Sequence, residues 1–440
     1  MDILIKIAQL FLCFTILVGI HELGHFLMAR AFKIRVEKFY IFFDPWFSLF
    51  KFKRGDTEYG LGWLPLGGYV KIAGMIDESM DKEQMKQPVK PDEFRAKPAW
   101  QRLLVMVAGV MMNVLLAIVI YCAVCYTWGD SYFSNQDAKW GYNFNPTAHE
   151  MGFRDGDRFV SIDGEEIDNV MRVQNDLLIT DGGRRVIVER GGEPVMLDIP
   201  FESLLRMRQE KAYEDLFTLR LPFIVDSVSY TSAVEAGLES GDEVVAIDDL
   251  RDADYPRYRD YLQKHKNDKV LLTVRRDGAL IDSLALPVDA EGRIGVTVTN
   301  PYSLRTQYYT FWESIPAGIH KAGKTISSYW DQLKLIVQPK TKMYEELGGF
   351  VAIGSIFPSS WDWHDFWLKT AFLSIILAVM NLLPIPGLDG GHALFTLWEI
   401  ITRRKPSEKF LEVAQYVGLM IILALLVYAN GNDIYRFFIK

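Results

Sequence analysis

The sequence predicts a multi-pass α-helical membrane protein with four transmembrane helices and a large region inserted between the second and third helices. Three observations predict this class. The 440-residue chain is half hydrophobic, and four of its apolar stretches approach or exceed the roughly 20 residues that cross a bilayer. The region between the second and third stretches carries a repeated pattern typical of small β-rich modules. Ionisable residues at the end of the first stretch are spaced so that they could bind one metal ion.

The four apolar stretches carry few or no charged residues over most of their length. They cover residues 3–20, 103–127, 370–388 and 413–429. A buried helix of a soluble protein could imitate one of them, but hardly all four. The first stretch has no small-residue cleavage site and runs directly into the pentad HELGH. We therefore expect a retained span there and not a signal peptide.

Lysine and arginine side chains near the ends of the spans predict the orientation. They cluster in the segment between the first two spans and in the short loop before the fourth: Arg30, Lys33, Arg35, Lys38, Arg95, Lys97, Arg102, Arg403, Arg404, Lys405 and Lys409. We expect both clusters to face the cytosol, with both termini and residues 129–360 on the other side. Because this positive charge belongs to loops at the membrane and the net charge is −8, no nucleic-acid partner is indicated.

The pentad places two histidines, His21 and His25, one helical turn apart on the same helix face, where both imidazoles can reach one ion. Zinc suits this pair, and Glu22 lies beside it, suitably placed to accept a proton from water. Ionisable side chains at membrane depth are costly unless something compensates for them. Coordination of a metal does so, whereas simple polar contacts between helices offer a weaker explanation.

Catalytic zinc usually takes three protein ligands, and Asp389 is the expected third ligand. The segment NLLPIPGLDGGH (381–392) closes the third span with two prolines and a glycine before this aspartate. Prolines break a helix and free backbone groups, which a membrane tolerates where the chain lines a protein cavity. A plain Asp-Gly-Gly turn at the end of the span is the alternative.

Two segments in the inserted region repeat at an offset of 85 residues. TAHEMGFRDGDRFVSIDG (147–164) and SAVEAGLESGDEVVAIDD (232–249) share Ala, Glu, Gly, Gly-Asp, Val and Ile-Asp at matching positions. Each copy reads as a short helix closed by glycine, a Gly-Asp turn and an alternating strand. The pattern resembles that of PDZ domains, which bind extended peptides along an open sheet edge. The alternative is that these modules are spacers or steric filters.

Together, HELGH in the first span and NLLPIPGLDGGH near the end of the third resemble the site-2 protease family of intramembrane zinc metalloproteases. Two PDZ-like modules between the second and third spans are similar to its RseP-like branch. The resemblance implies Zn²⁺ held by His21, His25 and Asp389, with Glu22 as the catalytic glutamate. It implies substrate-binding roles for Asn381 and for Asn113, which ends the segment AGVMMN in the second span.

The resemblance also implies a bacterial inner membrane protein that cleaves single-span membrane proteins, such as anti-sigma factors or signal-peptide remnants, after a first cut by another protease. Its modules would face the periplasm and could hold peptide C-termini, while the catalytic site would lie towards the cytosol. The lipid bilayer is the remaining partner. Residues 39–72 are similar to the family's membrane-associated β-hairpin region, and the polar segment 76–98 is expected to be a mobile cytosolic loop.

The expected organisation divides the chain into nine parts. These are a first span with HExxH (1–32), the β-hairpin region and loop (33–99), a second span (100–128), two PDZ-like modules (129–215 and 216–300), amphipathic linker helices (301–362), a third span with the LDGGH motif (363–392), a cytosolic loop (393–409) and a fourth span (410–432).

Two other functions remain open from the sequence. A membrane metalloprotease of another class would use a different third ligand. A membrane-anchored PDZ scaffold with a structural metal would not need Glu22. Transport fits poorly because the four spans show no inverted repeat.

Overall fold

A computed structural model describes residues 2–65, 67–75, 88–213 and 215–439. Residues 76–87 of the expected mobile loop lie outside the described residues. The chain forms two compact units. The membrane unit, as we call it, combines the chain up to Asp130 with the chain from Tyr308 onwards, and the inserted unit contains Ser131–Gln307.

Helices dominate the membrane unit. They are α1 (Asp2–Ala31), α2 (Ala99–Trp128), α8 (Phe311–Val337), α9 (Phe350–Ser355), α10 (Trp363–Leu382), α11 (Asp389–Thr402) and α12 (Glu408–Ile434), numbered together with the five short helices of the inserted unit. Four helical segments are long and apolar enough to cross a membrane: Asp2–Ala31, Ala99–Trp128, Trp363–Leu382 and Lys409–Phe437. The four predicted helices are therefore present, each long and apolar enough to cross a membrane.

Helix α2 is the centre of the membrane unit, since it packs against α1, α8, α10 and α11. Glycines permit the closest of these contacts. A Cβ on Gly24 of α1 would lie 2.8 Å from the carbonyl carbon of Ala108, and one on Gly318 of α8 would lie 2.9 Å from Cα of Cys122. Small residues allow such close backbone approach between helices. A residue larger than glycine at either position would hold the helix further from α2.

A four-stranded sheet follows α1, formed by β1 (Val36–Ile41), β2 (Phe50–Arg54), β3 (Thr57–Leu61) and β4 (Tyr69–Ile72) in the order β2-β3-β1-β4. Strands β2 and β3 make the expected hairpin. The sheet goes beyond a hairpin because β1 pairs in parallel with β3 and antiparallel with β4. Strands β2 and β4 are therefore its two edges.

The inserted unit contains two similar halves. The first half has α3 (Pro146–Glu150), α4 (Val173–Leu178), α5 (Phe201–Gln209) and strands β5 (Asp130–Tyr132), β6 (Tyr142–Phe144), β7 (Arg158–Ile162), β8 (Glu165–Glu166), β9 (Arg184–Arg190), β10 (Glu193–Ile199) and β11 (Phe217–Leu219). The second half has α6 (Thr231–Glu235), α7 (Tyr255–Lys264) and strands β12 (Val225–Val228), β13 (Glu243–Ile247), β14 (Leu250–Arg251), β15 (Lys269–Arg276), β16 (Ala279–Pro287), β17 (Val296–Val298) and β18 (Arg305–Gln307). The main sheets run β10-β9-β7-β8 and β14-β13-β15-β16, and each half has its own hydrophobic core.

The aspartate of the repeated Gly-Asp is buried in both halves and forms an ion pair with a half-buried arginine. Asp157 accepts two hydrogen bonds of 2.7 Å from Arg190, which also donates to the carbonyl of Gly152 at 2.8 Å. Asp242 accepts bonds of 2.6 and 2.7 Å from Arg276. The first pair joins the turn between α3 and β7 to the end of β9. The second pair joins the turn between α6 and β13 to the end of β15.

The second pair shows the charge balance of this arrangement. Burial opposes ionisation of Asp242, but the Arg276 guanidinium and the backbone N–H of Glu239 outweigh that effect, and the pKa of the carboxyl lies below its usual value. The repeated aspartates therefore have an internal partner. A charged group that is buried but fully paired in this way needs no ligand.

The second half of the membrane unit departs from one expectation. Residues 301–362, where amphipathic linker helices were expected, contain the long helix α8, two 3₁₀ turns and the short helix α9. The expected loop 393–409 is mostly helical, since α11 continues to Thr402. The proline-bearing segment before Asp389 ends α10, but the sequence ALFTLWEII that follows resumes a helix, in which Ala393 and Thr396 are buried and most of the large apolar side chains are exposed.

Candidate metal centre

Helix α1 positions the first two residues of the centre. His21 and His25 are one turn apart and both are buried, each 7% exposed. Their Nε2 atoms are 3.2 Å apart. The apolar helix thus presents two nitrogen atoms to a single point.

Asp389 reaches the same point from a break in the third span. Helix α10 ends at Leu382 and α11 begins at Asp389, with Gly387 in the left-handed region at φ 98°. A Cβ on Gly391 would lie 2.7 Å from Cα of Pro386, so the first turn of α11 can fold against the break only because glycine follows Asp389. Asp-Gly-Gly is the start of a helix here, not a simple turn.

The three side chains place their ligand atoms at the corners of an almost equilateral triangle. Oδ2 of Asp389 is 3.1 Å from Nε2 of His21 and 3.3 Å from Nε2 of His25. Tetrahedral zinc with ligand distances of about 2.0–2.1 Å has ligand-to-ligand edges of about 3.3–3.4 Å. The geometry therefore fits a zinc ion with one coordination position left over.

Hydrogen bonding supports the same assignment. Nδ1 of His25 lies 2.8 Å from the carbonyl of Val105, which can only accept, so Nδ1 carries the proton and Nε2 keeps its lone pair. Among the described residues, Oδ2 of Asp389 has no hydrogen-bond donor. Lone pairs that meet in a buried place repel one another unless a cation lies between them. This set of atoms fits a metal.

The remaining predicted site residues surround the triangle. The Asn381 amide lies 3.4 Å from Nε2 of His21, on the metal side of that ring. The Asn113 amide lies 3.2 Å from Nδ1 of His21, on the other side, and this residue is 0% exposed. Glu22 interacts electrostatically with His21, His25 and Asp389. The structure thus brings all six predicted residues together from three segments of the chain.

Comparison with known proteins gives the family. The profile of Peptidase family M50 matches residues 9–425. The chain is 30% identical over 426 residues to a "Putative zinc metalloprotease" of Clostridium perfringens, covering 96% of each chain. It is 27% identical over 460 residues to the "Regulator of sigma E protease" of Haemophilus influenzae, covering 99% of this chain and all of the relative. The chain belongs to peptidase family M50. It is a zinc metalloprotease of the site-2 type, and zinc is its cofactor.

Two residues of this M50 peptidase that sequence reasoning missed lie behind the histidines on α2. Val105 contributes its backbone carbonyl, which no side-chain pattern reveals. Gly109 leaves room for the rings, since a Cβ there would lie 2.7 Å from Cε1 of His21 and would also collide with His25. Gly109 belongs to the segment AGVMMN, four residues before Asn113, so helical spacing is a signal that could have found it.

A cavity of about 170 Å³ lies in the membrane unit of the peptidase, close to the turn that carries Asp389. Its lining includes Gly387 and His392 on either side of Asp389, and the basic side chains of Arg95, Arg102 and Lys405. The mixture of polar and apolar lining suits water. The two charged clusters that predicted the cytosolic face both contribute to this cavity.

Proposed function

We propose that this zinc metalloprotease is an intramembrane endopeptidase that cleaves the transmembrane segments of single-span proteins. We assign His21, His25 and Asp389 as the zinc ligands and Glu22 as the general base and acid. One observation carries the proposal, namely a triangle of ligand atoms from two buried histidines and a half-buried aspartate among helices long enough to cross a membrane. A peptidase site in that setting suits substrates that reach it through the bilayer.

Each group at the proposed site has a separate role in peptide hydrolysis. Zinc, when bound, supplies a Lewis acid that polarises the scissile carbonyl and lowers the pKa of water. Glu22 accepts the proton of the attacking water and passes it to the leaving amine. Asn381, next to the metal side of His21, offers an amide donor to the substrate backbone or to the developing oxyanion.

A helical substrate must be unwound first, because its peptide bonds are closed by their own hydrogen bonds. Strand β4 is an edge of the sheet after α1, and its start lies beside the general base. A Cβ on Gly68, just before β4, would lie 3.1 Å from Cγ of Glu22. We propose that an unwound substrate segment pairs with this edge, which would place one peptide bond near Glu22.

The inserted unit is proposed to hold two PDZ-type modules that restrict access or dock peptide C-termini. Its two similar sheets, each beside a short helix, support this assignment. The halves are linked by contacts such as the 2.7 Å bond from Asn143 to Asp254 and the 2.5 Å pair of Arg257 with Asp155. A restricted entrance would favour substrates already shortened by another protease, including anti-sigma factors and signal-peptide remnants.

The proposed orientation places the inserted unit on the periplasmic side of a bacterial inner membrane and the metal towards the cytosol. The cavity beside Asp389 supports a water path from that side, since it is lined by Arg95, Arg102 and Lys405. Hydrolysis consumes water, which the hydrocarbon region does not supply.

The test is cleavage of a purified single-span substrate by the full-length protein in detergent or liposomes. We expect Glu22→Gln to lower the cleavage rate by at least about 100-fold while zinc content is kept. A zinc chelator should stop the wild type, and added zinc should restore it. Cleavage that survives both Glu22→Gln and the chelator would contradict the proposed roles of Glu22 and zinc. A wild-type protein that binds zinc but cleaves no single-span substrate would leave the scaffold with a structural metal as the better description.

A further inference from the structure

One face of helix α2 forms a floor beneath both imidazoles. Val105, Gly109 and Asn113 follow one another at intervals of four residues, which places them on the same side of the helix. The Val105 carbonyl accepts from Nδ1 of His25 at 2.8 Å, and the Asn113 amide meets Nδ1 of His21 at 3.2 Å. Both rings are therefore contacted on their outward nitrogen by the same helix.

Gly109 sets how closely the rings approach this floor. A Cβ at that position would lie 2.9 Å from Nδ1 of His21 and 2.7 Å from its Cε1, closer than real contacts allow. The imidazoles thus lie directly on the helix backbone. That close approach brings the His21 ring within reach of Asn113, one turn further along.

The tautomer of His21 depends on the group opposite Nδ1. Because Nε2 of His21 must keep its lone pair to bind a metal, Nδ1 must carry the proton and donate it. Within Asn113 only Oδ1 can accept, and that atom has no other hydrogen-bond partner in the described part of the chain. Rotating the amide by 180° about its terminal bond brings Oδ1 to Nδ1 at the same distance.

Asn113 is itself held in place. Its backbone carbonyl accepts a hydrogen bond of 2.8 Å from the hydroxyl of Ser374 on α10, and its side chain is fully buried. The sequence had predicted that Asn113 contacts the substrate. A residue with 0% exposure behind a proposed ligand is poorly placed to do so. Its position suits support of His21.

We propose that Asn113 is a positioning residue that accepts the Nδ1 proton of His21 and thereby turns the Nε2 lone pair towards the zinc. The Val105 carbonyl does the same for His25, and Gly109 provides the space that both contacts need. This inference rests on the proposed assignment of His21 as a zinc ligand. Partners of this kind are typically worth about 10–100-fold in metal affinity.

Asn113→Leu and Asn113→Asp test the proposal. Leucine has the same number and branching of side-chain heavy atoms as asparagine but cannot accept a hydrogen bond, whereas aspartate can. The measurement is the zinc dissociation constant of the full-length protein in detergent, obtained by competition with a chromogenic chelator. Met111→Leu, at a residue of the same helix that is 55% exposed, is the matched control.

We expect Asn113→Leu to weaken zinc binding by about 10–100-fold, Asn113→Asp to stay close to wild type, and Met111→Leu to change nothing. At saturating zinc the KM of Asn113→Leu for a single-span substrate should match that of wild type. Unchanged zinc affinity in Asn113→Leu, with or without a raised KM, would overturn the inference. So would equal losses in the leucine and aspartate variants, because an acceptor would then be irrelevant.

His21→Ala separates this inference from the proposed function. Zinc binding that survives His21→Ala would refute the ligand assignment itself. Loss of zinc in His21→Ala together with wild-type affinity in Asn113→Leu would refute only the role of Asn113. Thermal unfolding of each variant without zinc shows whether the helices still assemble.

Discussion

Two kinds of aspartate, those of the sequence repeat and the one at the proposed metal site, differ in what surrounds them. In the inserted unit, Asp157 and Asp242 each receive two short hydrogen bonds from one arginine. In the membrane unit, Asp389 instead faces two imidazole nitrogens at 3.1 and 3.3 Å, and its Oδ2 has no donor among the residues described. The charge of the first kind is balanced by a side chain of the protein. The charge of the second kind is balanced only when a cation is bound.

This difference separates a structural carboxylate from a ligand without reference to sequence motifs. A paired carboxylate stabilises the native fold, and its removal leaves an arginine without its partner. A carboxylate among lone pairs contributes little to folding until the metal is bound, because repulsion in the empty site opposes it. Substitution of the two kinds should therefore affect different measurements.

The largest effect should come from Asp389→Ala. Loss of a direct ligand should weaken zinc binding by more than the roughly 10–100-fold expected for an outer partner, and cleavage should fall to the level of Glu22→Gln. The zinc-free protein should melt at the same temperature as zinc-free wild type. Metal analysis and thermal unfolding of purified protein measure both. If zinc affinity and activity were retained, the third ligand would lie elsewhere, as in another class of membrane metalloprotease.

Asp157→Ala should show the opposite pattern. Removing a buried carboxylate that accepts two hydrogen bonds from a partly exposed arginine costs on the order of 2 kcal/mol, so the inserted unit should unfold at lower urea concentration while zinc affinity stays the same. Urea-dependent proteolysis of the full-length protein reports on that unit. Asp282→Ala, at an exposed aspartate of the same unit, is the control. Equal sensitivity of the two variants would mean that the repeated pair contributes nothing to stability.

A smaller effect should appear with pH. The pKa of Asp242 is lowered in the folded protein, so its contribution to stability is present above the unfolded value of about 4 and is lost as the pH falls below it. We expect Asp242→Asn to be less stable than wild type at pH 7 and this difference to shrink as the pH falls below that value. A difference that widened on acidification would contradict the sign of the pKa shift.

The smallest effect should come from the exposed pair of Arg185 and Asp198. Their side chains are 64% and 67% exposed, and ion pairs of this kind contribute about 0–1 kcal/mol. Asp198→Ala should shift the urea midpoint of the inserted unit far less than Asp157→Ala does. A comparable shift would show that burial does not determine how much an ion pair contributes to the stability of the inserted unit.

Much of the architecture was predictable because it depends on local composition. Four apolar segments of sufficient length indicate four helices, and the 85-residue repeat corresponds to two sheets of the same order. The sequence also indicated that His21, His25 and Asp389 would converge, because ionisable groups in apolar segments are costly unless they bind a common ion. The motifs and the family comparison then agree on a zinc metalloprotease.

Other features depend on contacts that residue identity does not show. Residue propensities indicate that β1 and β3 are strands, but they do not show that the two strands pair with each other in parallel. Arg190 and Arg276 look like ordinary strand ends until each is seen against its aspartate. The Val105 carbonyl acts through the backbone, which every residue has. Helix α11 was missed because a break at prolines was taken to end helical structure, although the chain resumes it six residues later.

The way Asp389 meets the two histidines also has a consequence for how the protein is made. Ribosomes deliver the HELGH segment first and the Asp389 turn only after the 363 residues between His25 and Asp389 have been made. On the proposed assignment, the nascent chain carries throughout that interval a site that lacks one ligand. The translocation machinery and its other clients would therefore meet a competent peptidase only after the segments that precede Asp389 have been made.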